Sequence, residues 1–175
     1  MMDQNKKKKI YVTGLLSLLL LVGFDQLTKY LAIIKLQNQK SFVILDGIFE
    51  LQYLENRGAA FGMMQGKRIL FMVITIVVSV MLSYAYVKIP CEKRFNFMRL
   101  IILLFLSGAI GNFIDRTCRN YVVDFFYFKL IDFPIFNIAD IYVTVGMLLT
   151  LLAMFAIYNE KDFETMQQAV QFWKK

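Results

Sequence analysis

Four apolar stretches constrain this chain more than any other feature. The second runs from about Ile69 to Val87, the third from about Met98 to Ile114, and the fourth from about Ile135 to Tyr158. The first stays apolar from Ile10 through Phe24, about 15 residues, short of the roughly 20 that a helix needs to cross a bilayer. It spans only if the helix continues through Asp25 and Lys29 to about Ile34. In hydrocarbon a backbone must satisfy its own hydrogen bonds, so runs of this length predict helices. Short links between them predict antiparallel packing. The expected fold is therefore an all-α membrane protein with a small β element, one domain over residues 1–175, with spans at about 10–34, 69–87, 98–114 and 135–158.

Composition and charge agree with that reading. The chain is 58% hydrophobic, above the roughly 45–50% of soluble domains, and its mean hydropathy is +0.55. A net charge of +7 raises the question of nucleic acid. The basic residues sit beside apolar runs instead of forming a polar, aromatic-interleaved face, which argues against that partner and for membrane topology and anionic headgroups. Lys6 to Lys9 precede the first span, and Lys88, Lys93, Arg94 and Arg99 crowd the link between spans two and three. With Lys161, Lys174 and Lys175 in the tail, these regions are expected to be cytoplasmic, both termini included. The basic flank and apolar core at the start also resemble a signal peptide. No small-residue cleavage site follows and three further spans do, so the segment reads as a retained helix.

The stretch after span one has a different texture. Phe42 to Leu45 and Ile48 to Tyr53 are rich in β-branched and aromatic residues and flank Asp46-Gly47. An Asp-Gly pair in that setting predicts a hairpin, here over about residues 42–53. Tyr121 to Phe128 has strand-like content as well, so a small extracytoplasmic sheet resting on the helices is expected. An isolated hairpin is marginal and needs that support. Asn159 to Lys175 reads either as a short interfacial helix or as a frayed polar tail.

The chain has no histidine, which removes Ser-His and Cys-His catalysis and the commonest zinc ligand. Its two cysteines, Cys91 and Cys118, form no CxxC pattern and are expected on opposite sides of the membrane, unpaired. What remains for chemistry is carboxylates and amides. Asp124 lies in Val122-Val123-Asp124-Phe125, and Asp140 at the mouth of the fourth span in Phe136-Asn137-Ile138-Ala139-Asp140. Acids at membrane depth are expensive and mark functional sites by default. Two carboxyl groups brought close share one proton, so that one activates water while the other polarises a carbonyl. The bland reading is two unrelated helix-end acids, with Asp140 in the favourable first turn.

Other polar positions leave alternatives open. Asp25 and Lys29 are four apart, acid first, and read as a polar brace or as a snorkelling ion pair. Asn56-Arg57-Gly58-Ala59-Ala60-Phe61-Gly62 allows close backbone approach to a ligand, or is a tight turn. Gly108, Asn112 and Asp115 share a helix face, as do Asn112 and Arg116. That cluster faces a site or caps a helix near water.

Taken in order, Asp25-Gln26-Leu27-Thr28-Lys29, Asn56-Arg57-Gly58-Ala59-Ala60-Phe61, Gly108-Ala109-Ile110-Gly111-Asn112-Phe113-Ile114-Asp115-Arg116, Val122-Val123-Asp124-Phe125 and Phe136-Asn137-Ile138-Ala139-Asp140 resemble the signal peptidase II family, the lipoprotein signal peptidases. Ser107 departs from the family pattern, which usually has a glycine before Gly-Ala, and slightly looser helix packing is expected there. The resemblance implies an aspartic endopeptidase of the bacterial cytoplasmic membrane, with its active site on the extracytoplasmic side. Its substrate would be prolipoprotein bearing diacylglycerol on the lipobox cysteine, cut just before that cysteine. It carries over Asp124 and Asp140 as the catalytic pair. Asn56, Gly58, Ala59, Phe61, Asn112, Arg116, Asn137, Asp25, Lys29 and Asp115 carry over as substrate-binding or supporting residues. It further implies a four-helix bundle with a β-cradle, no metal or other cofactor, inhibition by the cyclic peptide globomycin, and membrane lipids as partners of an expected monomer. Rival classes are a proton-coupled transporter using Asp25, Asp115, Asp124 and Asp140 as a relay, a non-catalytic scaffold, and a Ser-Lys peptidase with Lys29 as base.

Overall fold

A computed structural model of the chain describes residues 4–58 and 68–171. Four helices in it are long and apolar enough to cross a membrane. Helix α1 (Gln4–Leu36) does not stop at Phe24 but carries Asp25 and Lys29 within it. Helix α2 (Arg68–Lys88) is followed by a single 3₁₀ turn (Lys93–Phe95) and helix α3 (Asn96–Cys118). Helix α4 (Ile138–Leu152) begins three residues later than the apolar run at Ile135, because residues up to Asn137 are extended. A π-helical turn, Ala153–Ile157, completes that span.

None of the residues of α2 is buried, although it is the most apolar of the four helices. Val73, Val77, Val80 and Met81 are all about half exposed or more. Leu15, Leu16, Leu19 and Leu20 on α1, and Met147, Leu148 and Leu151 on α4, are exposed too. A soluble protein rarely shows contiguous apolar patches beyond a few hundred Å². Here such surface surrounds the bundle, and its natural solvent is lipid.

Burial is concentrated on α3, which packs against α1, α2 and α4. The α3–α4 approach depends on Gly108. A Cβ at that position would lie 2.5 Å from the carbonyl oxygen of Ala139, part of the backbone of α4. Small residues permitting such contact are the usual means of packing helices in lipid. Ser107 beside it is fully buried, and its hydroxyl donates to the Leu103 carbonyl at 2.7 Å, so the extra oxygen is not an orphan.

The Asp46-Gly47 turn joins β1 (Phe42–Leu45) to β2 (Phe49–Asn56), with Gly47 at a φ of 67°. Strand β3 (Val122–Tyr127) pairs antiparallel with β2, giving a three-stranded sheet in the order β1-β2-β3. Val123 and Phe125 press the sheet onto Ala32 and Leu36 of α1, which supplies the support a bare hairpin lacks. The side chain of Glu50 accepts from Lys129 (2.7 Å) and Ser41 (2.8 Å), and these bonds, the lysine's first, hold its carboxyl below the usual range. At the other end of the bundle, residues 160–170 form helix α5 (Glu160–Val170) instead of fraying. Asn159 caps it, Met166 is buried in the core with Ile89, Phe95 and Tyr158, and Asp162 pairs with Arg94. Phe172 to Lys175, the end of the expected interfacial helix, lie outside the described residues. Both cysteines are free, Cys91 buried and Cys118 exposed.

Gly108→Ala should destabilise the protein by about 1–3 kcal/mol, the usual range for overpacking a tight contact. Gly23→Ala, where a Cβ meets nothing within 4 Å, should leave stability level or slightly raised. Thermal unfolding of both purified variants in detergent checks the contrast.

Candidate active site

The two acids come from different elements and are brought together by backbone pairing. Asp124 lies on β3, and the segment ahead of α4 zips onto that strand. Phe136 donates to the Phe126 carbonyl (3.1 Å) and accepts from Phe125 (3.0 Å) and Phe126 (2.9 Å). Phe126, Phe128 and Phe133 pack rings around Phe136. This delivers Asn137 to Asp124 and starts α4 with Asp140 in its first turn.

Asn137 is the joint between the acids. It is the N-cap of α4, and its side-chain oxygen accepts from the Asp140 amide at 3.1 Å. Its own amide donates to Asp140 Oδ2 at 3.1 Å, which completes a reciprocal capping box. Its Nδ2 donates to Asp124 Oδ1 at 2.6 Å and to Asn112 Oδ1 at 3.2 Å. Every hydrogen-bonding group of the Asn137 side chain is thereby used.

The remaining carboxylate oxygens meet amides as well. Asp124 Oδ2 accepts from Asn56 Nδ2 at 2.9 Å, and Asp140 Oδ1 from Asn112 Nδ2 at 2.9 Å. Asn56 ends β2 opposite Val122, so sheet register places it beside Asp124. Its own oxygen accepts from the Gly58 amide at 3.0 Å. Arg116 reaches the Gly58 carbonyl at 3.3 Å and the Asn112 carbonyl at 3.4 Å, with its guanidinium 5.4 Å from the centre of the Phe71 ring. Ala59 and Phe61 lie outside the described residues.

Asp25, Lys29 and Asp115 form a second, fully buried group behind the first. Lys29 Nζ contacts Asp25 at 2.9 Å, Asp115 at 3.2 Å and Asn112 Oδ1 at 2.8 Å. The reading of a snorkelling pair is thus corrected: the Lys29 head reaches neither water nor headgroups, because two acids and an amide inside the bundle hold it. Each acid of this group also holds backbone. Asp25 Oδ1 accepts from the Ala139 amide at 2.9 Å, and Asp115 Oδ2 from the Val123 amide at 3.0 Å. Ala139 and Val123 directly precede Asp140 and Asp124. Gly111 makes room for this, since a Cβ there would lie 2.4 Å from Asp25 Oδ2.

Two members of this group went unassigned in the sequence. Gln26 Nε2 donates to Asp25 (3.1 Å), Asp115 (3.2 Å) and the Gly111 carbonyl (3.1 Å). Arg119 pairs with Asp115 at 2.5 Å and donates to Gln26 Oε1 at 3.3 Å. Arg119 stands four residues after Asp115, the same acid-first spacing that singled out Asp25 and Lys29, so that signal was present.

Asp124, Asp140, Asn56, Asn112 and Arg116 line a cavity of about 440 Å³. Its other wall is apolar, made by Phe133 to Phe136 and by Ile141, Val143 and Val145 of α4. Asp124 is 1% exposed. That burial, with the neighbouring Asp140 charge, pushes its carboxyl up to about 7, against the opposing pull of the bonds from Asn56 and Asn137. Among the described residues no group of His, Cys, Asp and Glu is arranged to hold a metal ion.

A membrane-type helical bundle with two amide-held acids facing an apolar cavity defines a class of intramembrane hydrolase candidates. Comparison with known proteins narrows it. Residues 17–156 match the family model described as "Signal peptidase (SPase) II". The lipoprotein signal peptidase of Caldanaerobacter subterraneus subsp. tengcongensis is 46% identical over 129 residues, 73% of this chain and 86% of that one. That of Streptococcus pyogenes serotype M1 is 41% identical over 160 residues, 90% and 98% of the two chains. A bacterial membrane enzyme solved by the in meso method at 2.3 Å superposes with a TM-score of 0.71 at 38% identity, covering 81% of this chain and 87% of the other. A second, solved at 1.9 Å, has a TM-score of 0.73 at 36% identity, covering 83% and 94%. The chain belongs to the signal peptidase II family and is a peptidase.

Lys29→Met should lower stability by about 3–5 kcal/mol, because it leaves Asp25 as an uncompensated buried charge. Adding Asp25→Asn should recover part of that loss. Thermal melts of the single and double variants measure the difference.

Proposed function

We propose that this protein removes signal peptides from bacterial prolipoproteins that carry diacylglycerol on the lipobox cysteine, cutting just before that cysteine. The observation that carries this reading is the cavity: two acids, bridged by Asn137, face an apolar wall built from the start of α4. An extended peptide entering it would meet the acids at one side and bury apolar side chains at the other. The substrate enters sideways from the bilayer, because each buried CH₂ of its lipid is worth roughly 0.8 kcal/mol and does not leave cheaply. Clustered lysines at the start of α1 and between α2 and α3 support a cytoplasmic placement of those ends. The acids, at the far end of α3, then lie on the extracytoplasmic side of the bacterial cytoplasmic membrane. The working unit is a monomer.

Asp124 and Asp140 act as a general acid–base pair sharing one proton, which rests on Asp124. Asp140 takes a proton from water as the water oxygen attacks the scissile carbonyl carbon. Asp124 gives its proton to the carbonyl oxygen. Breakdown of the tetrahedral intermediate returns one proton to Asp124 and passes the other, from Asp140, to the leaving nitrogen. No acyl-enzyme forms. Asn56, Asn112 and Asn137 position the carboxyl groups, and Lys29 fixes which end of the Asn112 amide faces Asp140.

Asp124→Asn and Asp140→Asn should each reduce cleavage of a diacylated lipobox substrate by roughly 10²–10⁴-fold, the range for loss of acid–base catalysis. An unlipidated precursor should be cut more slowly by the unmodified enzyme. Near-normal cleavage by both variants, seen on gels of the purified reaction, overturns the assignment.

The pH profile follows from Asp124. A shared proton held to about pH 7 makes kcat/KM fall as pH rises through that value. Asn56 donates to the Asp124 carboxylate and so favours its ionised form. Asn56→Ala should therefore move the alkaline limb to higher pH, read from initial rates between pH 5 and 9, a range of about two units either side.

A further inference from the structure

A second cavity lies at the opposite end of the bundle from the acids, where α1 and α3 begin and α2 ends. It has a volume of about 480 Å³. Asn96 and Arg99 line it, and Asn112 and Arg116 line the first cavity, 16 to 17 residues further along the same helix. At 1.5 Å per residue the two cavities are roughly 25 Å apart.

Its lining is one-signed. Lys6 and Lys9 of α1, Lys93 of the 3₁₀ turn and Arg99 of α3 all contribute, and among the described residues no acidic one does. Arg99 is 4% exposed, and among the described residues no carboxylate forms a salt bridge with it. Its guanidinium instead donates to the carbonyls of Ile89 and Pro90, each at 2.8 Å, reaches Asn96 Oδ1 at 3.5 Å, and lies 6.0 Å from the Tyr86 ring centre. Its Nε–H is buried without a hydrogen-bond partner. Held only by neutral oxygens, the guanidinium keeps its full positive charge, which favours an anionic ligand in the cavity it lines. The start of α3 adds to the same field, since its N-cap, Phe95, supplies no side-chain oxygen to the first turn.

Tyr86 forms part of the cavity lining. Gly14 stands where a Cβ would lie 2.0 Å from the Tyr86 hydroxyl oxygen, so only glycine lets Tyr86 reach across to α1, where it donates to the Ile10 carbonyl at 3.3 Å. Thr13 and Ser17 bring two more hydroxyls to the lining. Ile10, Cys91, Leu100 and Leu103 add apolar lining, and Leu100 is 44% exposed on the lipid-facing surface. The site is therefore amphiphilic: cationic and hydroxylated within, apolar toward the bilayer.

We propose that this cavity binds the phosphodiester headgroup of an anionic phospholipid, with Arg99, Lys6, Lys9 and Lys93 around the phosphate and acyl chains along Ile10, Leu100 and Leu103. A free phosphate would satisfy the cations but leave the apolar side unused. The claim is independent of the peptidase mechanism.

The test uses the full-length protein in phosphatidylcholine vesicles with or without phosphatidylglycerol, read by native mass spectrometry of retained lipid. Phosphatidylglycerol should be retained over phosphatidylcholine at least about fivefold, a difference of about one kcal/mol. Lys6→Gln/Lys9→Gln should abolish that preference. Lys7→Gln/Lys8→Gln removes the same charge from residues outside the cavity and should preserve it. Lys93→Gln, on an exposed turn, should weaken it without loss of fold. Inorganic phosphate alone should neither compete at millimolar concentration nor raise the melting temperature. Equal loss in the two double variants would reduce the effect to general surface attraction and overturn the site. Equal retention of both lipids, or competition by free phosphate, would overturn it as well.

Discussion

The arrangement of this protein depends on one buried ammonium group. Lys29 sits within 3.2 Å of Asp25, Asp115 and Asn112, with no access to solvent. Each contact fixes something else. Asp25 holds the Ala139 amide at the start of α4, and Asp115 holds the Val123 amide on β3. The next residue in each case is one of the two cavity acids. The Lys29 bond to Asn112 Oδ1 turns the amide nitrogen toward Asp140. Removing two acids and a lysine from water is costly, and mutual pairing with complete hydrogen bonding offsets that cost. The return is geometric: charges from α1 and α3 set the positions of backbone on two other elements.

Two polar layers result, with different properties. The inner one, Asp25, Gln26, Lys29, Asp115 and Arg119, joins acids to cations, with Asp25, Lys29 and Asp115 fully buried and Arg119 at its partly exposed edge. The outer one, Asp124, Asp140 and their asparagines, opposes acid to acid and pairs them only with neutral amides. Neutral donors orient a carboxylate without compensating its charge, so burial and the facing acid still raise Asp124 toward neutrality. A cation in place of any of these amides would act in the opposite direction. Arg116, the cationic neighbour in the cavity lining, donates instead to the backbone carbonyls of Gly58 and Asn112.

Much of the fold was legible because membrane solvent imposes strong rules. Apolar runs announced four helices, and Asp46-Gly47 announced the hairpin. The candidate acids were visible because carboxylates are rare in such surroundings. Less legible were the helix start at Ile138, where zipping of Phe136 onto β3 keeps the chain extended, and the fate of Lys29. Its spacing from Asp25 fits a surface pair and a buried one equally. Only the approach of Asp115 and Asn112 from α3 distinguishes them. Phe133, Pro134 and Ile135 gave no sign that they would line a cavity, since an apolar residue before an apolar span carries no information about what it faces.

The amino-acid sequence alone determined the solvent of this protein, the number of its spanning helices and the pool of groups available for chemistry. These follow from local composition and from the hydrogen-bonding needs of backbone in hydrocarbon. The tertiary structure decided which of those groups meet. Asn56, Asn112, Asn137, Asp124 and Asp140 come from strands and helices far apart in the chain, and their contacts rest on sheet register, a glycine-width gap between α3 and α4, and a lysine shared between helices. Such contacts are relations between surfaces, and no local stretch of residues encodes them.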